Sequence, residues 1–188
     1  SDGSVTATAN LVINLTGVND APTLTTVSTL TGATEDTAFT ISYATLSAAA
    51  NEADVDGDTL SFRVEAVSTG TLTKSGVEVV AGTTLLSTGQ DLVWTPAANV
   101  NGTVNAFTIK AWDGTTTSAA AIQVQVMVTA VNDVPTVSAI SGQTTAEDTA
   151  TSAIAFTVGD VETAAGSMTV TATTSDLGVV AGGGIALG

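Results

Sequence analysis

The residues of this chain that can do chemistry are carboxylates and side-chain amides, gathered in a few short stretches. "DVDGD" sets Asp54, Asp56 and Asp58 at alternate positions, and "VND" occurs twice, giving Asn19-Asp20 and Asn132-Asp133. "TED" carries Glu35 and Asp36, "WDG" carries Asp113, and "DVE" carries Asp160 and Glu162. Such oxygen donors suit a hard divalent cation. Ca2+ takes six to eight oxygens in irregular geometry, whereas Mg2+ demands an octahedron and keeps its waters, so Ca2+ is the expected cofactor. Asn, Asp and Gly also make turns without a metal. One such loop alone therefore says little, and the question is which of these loops the fold brings together.

Other chemistries are excluded by composition. The 188 residues include neither cysteine nor histidine, which removes disulfides, thiolate zinc sites, cysteine nucleophiles and Ser-His-Asp triads. Paired aspartates can hydrolyse glycosides, but these lie in turns expected to hold metal, so no enzyme is expected. Eighteen acids face only Arg63, Lys74 and Lys110, for a net charge of −15. Nucleic acid and anionic membrane both need basic partners, so neither is an expected partner. No apolar run approaches the length of a membrane helix and no signal peptide opens the chain, so direct membrane insertion is not expected either. "DVDGD" resembles the start of an EF-hand, with Glu65 at loop position twelve. However, the sixth position is Thr59 rather than glycine, and a strand rather than a helix follows.

The loops must be positioned by strands. Threonine and valine are abundant, aromatics make up only 4%, and β-branched residues favour pleated sheets. The sequence also repeats itself. "VNDAPTLT" at 18–25 returns as "VNDVPTVS" at 131–138, and "TEDT" at 34–37 matches "AEDT" at 146–149. "SDGSVTATANLVINLTGVNDAP" at 1–22 corresponds to "WDGTTTSAAAIQVQVMVTAVNDVP" at 112–135. The expected organisation is the C-terminal strand of a preceding repeat (1–20), a complete repeat (21–133) and the N-terminal half of a following one (134–188). Within the complete repeat, strands are expected at 22–30, 37–43, 59–67, near 70–74, 77–80 and 91–95, at 102–112 and at 118–131. Residues 45–52 have the composition for one helical turn. Alternation puts Leu60, Phe62 and Val64 on one face of their strand, and Phe107 and Ile109 inward with Lys110 outward. Seven or so short strands in this length are the pattern of an all-β, Greek-key, Ig-like sandwich.

Antiparallel strands deliver successive loops to alternate ends of such a sandwich. Following the chain, Asn19, Asp20, Asp54, Asp56, Asp58 and Asp113 are expected at one end. Glu35, Asn132, Asp133, Asp160 and Glu162 are expected together at the next junction, with Asp36 nearby. The final strand, at about 3.3 Å per residue, spans roughly 45 Å and leads straight into the V-N-D-x-P linker.

In order along the chain, "ND-x-P", "EDT", "DxDGDTL", "WTPAANxNGT", "WDG" and "VND-x-P" resemble the cadherin-like tandem repeats of very large bacterial surface proteins, including secreted adhesins. The resemblance covers essentially the whole chain. It implies calcium held at each junction by the linker Asn-Asp, a strand-A-side glutamate and a D-x-D of the next domain. Those roles fall on Asn19-Asp20 with Asp54 and Asp56, and on Asn132-Asp133 with Glu35 and Asp160. Gly17 and Ala130 stand where the cadherin linker has its first aspartate, the proline comes one residue early, and no D-R-E motif is present. Fewer ions per junction are therefore expected.

The expected function is a non-enzymatic, extracellular repeat module: a calcium-rigidified spacer or stalk of a bacterial surface adhesin, with neighbouring repeats of the same chain as first partners. A self-assembling filament or sheath subunit, using strand edges, is the main alternative. A carbohydrate-binding module, with Trp94 or Trp112 stacking on a cell-surface glycan, is another. An ice-binding face of Thr-x-Thr rows, as in "TVTATT" at 169–174, is a third. Asn14-Leu-Thr16 and Asn101-Gly-Thr103 match the glycosylation pattern, as chance allows in a threonine-rich chain.

Overall fold

The computed structural model of the chain describes Gly3, residues 9–175, Leu177, Val180 and residues 184–187. The start of the expected first strand, at 4–8, lies outside them. The chain divides into two units, residues 1–129 and 130–188.

The first unit is a sandwich. Its elements are β1 (Leu30–Thr34), β2 (Phe39–Ser42), α1 (Tyr43–Ala49), β3 (Ser61–Val67), β4 (Thr71–Lys74), β5 (Val77–Glu78), β6 (Leu85–Leu86), β7 (Asp91–Thr95), β8 (Gly102–Trp112) and β9 (Ile122–Thr129). One sheet has the order β1-β9-β8-β3-β6 and the other β2-β7-β4-β5. All pairings are antiparallel except that of β1 with β9. Alternation explains the core: Val124, Val126 and Val128 of β9 turn inward, as do Phe62 and Val64 of β3 and Leu92 and Trp94 of β7. Side chains from both sheets meet in one apolar cluster.

Trp94 is the largest fully buried side chain in that cluster. Its indole Nε1 donates to Thr69 O at 2.8 Å, so its polar edge is satisfied. The fit is close: Gly70 has φ +69°, and a Cβ there would lie 2.2 Å from Thr95 O. A buried Trp94 cannot present a ring to a sugar. Trp112 is half-buried, and the Arg63 guanidinium carbon sits 5.7 Å from its ring centroid.

The expected first strand at 22–30 is split. Thr23 and Val27 make isolated bridges to Ala53 and Ala50, and the chain then joins the five-stranded sheet as β1. The strand expected at 37–43 stops at Ser42 because Ser42 caps a helix, its hydroxyl accepting Thr45 N at 3.0 Å. Helix α1 thus begins before the expected turn at 45–52 and buries Leu46.

The second unit is described through β10 (Thr136–Val137), paired antiparallel with β11 (Val158–Gly159), and a 3-10 turn at Ala165–Ser167. Its Thr136–Gly159 pairing repeats the Thr23–Ala53 bridge of the first.

Candidate metal centre

The six acidic and amide residues expected at one end of the first sandwich form one hydrogen-bonded network. Thr23 and Ala53 clamp the approach to the loop, with N–O distances of 2.8 and 3.0 Å. The chain then folds about Asp54, whose Oδ1 accepts Asp56 N at 2.9 Å and Asp58 N at 3.3 Å. Gly57, with φ +78°, supplies the left-handed residue this turn needs. One oxygen from each of Asp54, Asp56 and Asp58 lies within 4.8 Å of the others. The linker is tied to this group: Asp20 N donates to Asp56 Oδ2 at 2.7 Å, and Asn19 Nδ2 donates to Asp113 Oδ2 at 3.0 Å.

Among the described residues nothing basic pairs with these carboxylates. Among the described residues the one ion pair joins Arg63 Nε to Glu65 Oε1 at 2.7 Å, and Lys74 Nζ is bonded to Leu85 O and Gln90 Oε1. Asp54 Oδ2 is buried and accepts no hydrogen bond from any described residue, and neither does Glu52 Oε2, two positions earlier. A buried carboxylate oxygen without a partner is costly. Close carboxylates, no cation and an orphaned inward oxygen are what a divalent ion would satisfy, so the residues fit one.

Asp113 plays a different part. Its Oδ1 accepts Thr115 N and Thr116 N, both at 2.6 Å, and its Oδ2 takes the Thr116 hydroxyl at 2.9 Å as well as the Asn19 amide. The Asn19 amide, ahead of the Thr116 N–H, holds this carboxyl well below the usual carboxylate range, because donors favour the charged form. The charged form thus supports the turn above the unfolded aspartate pKa of about 3.9, and that support is lost as pH falls through the lower folded value. Carboxyl NMR titration should find Asp113 below free aspartate, and Asn19→Ala should raise it part-way, since Thr115 and Thr116 still donate. An ordinary value in the unsubstituted chain would mean that neither the Asn19 contact nor the threonine contacts form in solution.

At the other end of the first sandwich Glu35 is buried, its N bonded to Thr129 O at 3.0 Å and its Oε2 to the Asn101 amide at 3.1 Å. Asp36, at φ +55°, accepts Asn99 N at 3.0 Å. In the second unit, Asn132 Nδ2 donates to Asp133 O at 2.7 Å and Asp133 N to Glu162 Oε2 at 2.9 Å. Asp160 Oδ1 accepts Thr163 N at 2.7 Å. The linker-to-carboxylate bond of the first unit, Asp20 to Asp56, is thus repeated as Asp133 to Glu162.

A family model described as the cadherin-like domain matches residues 18–129. The chain belongs to the cadherin-like family. Neither a curated protein nor a solved structure matches it. Cadherin-like domains are extracellular, non-enzymatic modules that engage neighbouring repeats or like copies and generally bind calcium. No helix among the described residues is long and apolar enough to cross a membrane. Two residues of this cadherin-like unit escaped the sequence reading. Asn101 had a signal, since it lies in the "WTPAANxNGT" stretch that carries the resemblance. Glu52 had none: its Oε1 is bonded to the Ser47 hydroxyl of α1 at 2.5 Å, and the matching position of the second unit is Val158.

Proposed function

We propose that this chain is a calcium-stiffened spacer of a bacterial extracellular repeat protein, of the adhesin kind its motifs resemble. Residues 1–20 would be the closing strand of a preceding repeat, 21–133 a complete repeat and 134–188 the first half of the next. The observation that carries the reading is the carboxylate group of Asp54, Asp56 and Asp58, with a buried unpartnered Asp54 oxygen beside a linker already bonded to Asp56. Asp54, Asp56 and Asp58, with Asn19, Asp20 and Asp113 around them, would hold one ion. Asn132, Asp133, Asp160 and Glu162 are the corresponding set of the second unit, and Glu35 is a proposed ligand at the far end of the first sandwich.

A bound calcium supplies a divalent charge with six to eight oxygen positions, at dissociation constants of about 10⁻⁴ to 10⁻³ M for extracellular modules. The chain's own residues do the rest. Asp56 grips the linker through Asp20 N, and Asn19 reaches across to Asp113. Without a cation the three carboxylates repel one another and loosen that grip. With the repulsion offset, the linker is held to the sandwich end.

Amide hydrogen exchange tests this directly. Exchange at Asp20 N–H should slow on adding calcium. Asp58→Ala, which leaves the Asp20–Asp56 bond, should abolish most of the calcium effect. Exchange at Asp20 that is indifferent to calcium in the unsubstituted chain would overturn the reading.

A further inference from the structure

Two of the chain's three basic side chains stand side by side. On the outer face of the five-stranded sheet, Ser61, Arg63 and Glu65 of β3 alternate with the buried Phe62 and Val64. Thr108, Lys110 and Trp112 of β8 alternate in the same way with the buried Ile109 and Ala111. The antiparallel register sets Arg63 directly opposite Lys110, and Ser61 opposite Trp112. Cross-strand neighbours have Cβ atoms about 4.5–5.5 Å apart, and like charges so placed destabilise the sheet. Lys74, the third base, belongs to β4 of the other sheet. The five strands β1, β9, β8, β3 and β6 contain a single acid, Glu65. In a chain with eighteen acids, this face is the place where positive charge gathers.

Glu65 offsets that charge only in part. It takes Arg63 Nε at 2.7 Å, while the Nη groups of Arg63 and the Nζ of Lys110 bond to no described residue. The guanidinium is also oriented, since its carbon sits 5.7 Å from the Trp112 ring centroid, within reach of a cation–aromatic contact. A guanidinium fork held in one plane takes a carboxylate through two parallel N–H bonds, and a neighbouring lysine adds a point charge. Beside the pair, the hydroxyls of Ser61 and Ser87 meet at 2.8 Å and offer further hydrogen bonds.

We propose that this face binds a glycan carrying isolated carboxylated sugars, with one uronate carboxylate on Arg63 and Lys110 and sugar hydroxyls on Ser61 and Ser87. The net charge of −15 selects this ligand over a protein or polymer dense in acids, which the whole chain would repel. A carboxylate spaced between neutral sugars brings one negative charge to the local pair. At physiological ionic strength, exposed charges more than about 8 Å away are largely screened from it. The site uses none of the residues assigned to calcium.

Titration calorimetry of the 188-residue chain in chelator tests the site with no calcium available to bridge carboxylates. The probe is an oligosaccharide alternating glucuronate with N-acetylglucosamine, which should bind, whereas its carboxyl-reduced form should not. Lys110→Gln should weaken binding about tenfold, the effect of one charged hydrogen bond. Arg63→Lys keeps the charge, loses the fork and should weaken it comparably. Glu65→Gln removes the competing carboxylate and should tighten it, and Lys74→Gln, on the other sheet, should leave it unchanged. Absence of binding, equal binding of the reduced sugar, or unchanged affinity in Lys110→Gln or Arg63→Lys would overturn the proposal. So would weaker binding by Glu65→Gln, or an equal loss with Lys74→Gln, which would mark unspecific charge attraction. Tighter binding of polyglutamate than of the oligosaccharide would also overturn it, making the face a dock for an acidic protein.

Discussion

At calcium about a hundredfold above the dissociation constant, which is about 10 mM at the tighter end of the range for extracellular modules, the chain should melt well above its temperature in chelator. An ion that binds only the folded state contributes about 2.7 kcal/mol at a hundredfold excess over its dissociation constant. For a sandwich of this size each kcal/mol moves the midpoint by roughly 4 °C or more, so a rise of about 10 °C is expected. The combined variant Asp54→Ala, Asp56→Ala, Asp58→Ala should lose most of the rise. Its midpoint in chelator should not fall greatly, because removing three mutually repelling carboxylates relieves as well as removes. Magnesium should serve less well, since it gives up its waters reluctantly. Equal midpoints in calcium and chelator for the unsubstituted chain would remove the metal from the account of this site.

The second large effect belongs to the core. Trp94→Ala deletes the largest buried side chain of the first unit, and large-to-small changes of that kind cost about 3–5 kcal/mol. A domain's whole stability is about 5–15 kcal/mol, so the variant stands near the limit of folding. It also strips Thr69 O of its indole donor. Trp112→Ala removes a half-buried ring and a stacked Arg63, an interaction worth about 0.5–1 kcal/mol at an exposed site. Urea denaturation should separate the two variants by several-fold in lost stability. Equal losses would contradict the buried placement of Trp94.

The contrast between the tryptophans was legible in part. Both alternate in phase with apolar neighbours, and sequence alone gave no reason to part them, since partial exposure of Trp112 depends on what crosses its strand. Strands bounded by glycine and turn residues were read closely: β7 at 91–95 and β8 at 102–112 stand where they were expected. What escaped the sequence was set by partners distant in the chain. β6 is two residues long and exists because β3 pairs with it. In β8 a register shift between Asn105 and Phe107 buries both Ala106 and Phe107, which no strict alternation foresees.

The candidate site divides in the same way. The gathering of Asn19, Asp20, Asp54, Asp56, Asp58 and Asp113 follows from turn residues at strand ends and from the reversal of direction at each strand. The division of labour among them does not. Asp113 turns both oxygens to Thr115, Thr116 and Asn19, while Asp54 keeps one buried oxygen unpartnered. Those differences are decided by which amide or hydroxyl happens to face each oxygen.

The parallel pairing of β1 with β9 also decides how the first unit carries load. These are the first and last strands of its sandwich, side by side, with Leu30 opposite Val126 and Thr34 opposite Thr129. Tension applied to the two ends of the unit draws β1 and β9 in opposite directions along a shared line of hydrogen bonds. The bonds are then strained in shear and must yield together, rather than opening one after another as in a hairpin pulled from its open end. Mechanical resistance is thus built in at the seam where the chain enters and leaves.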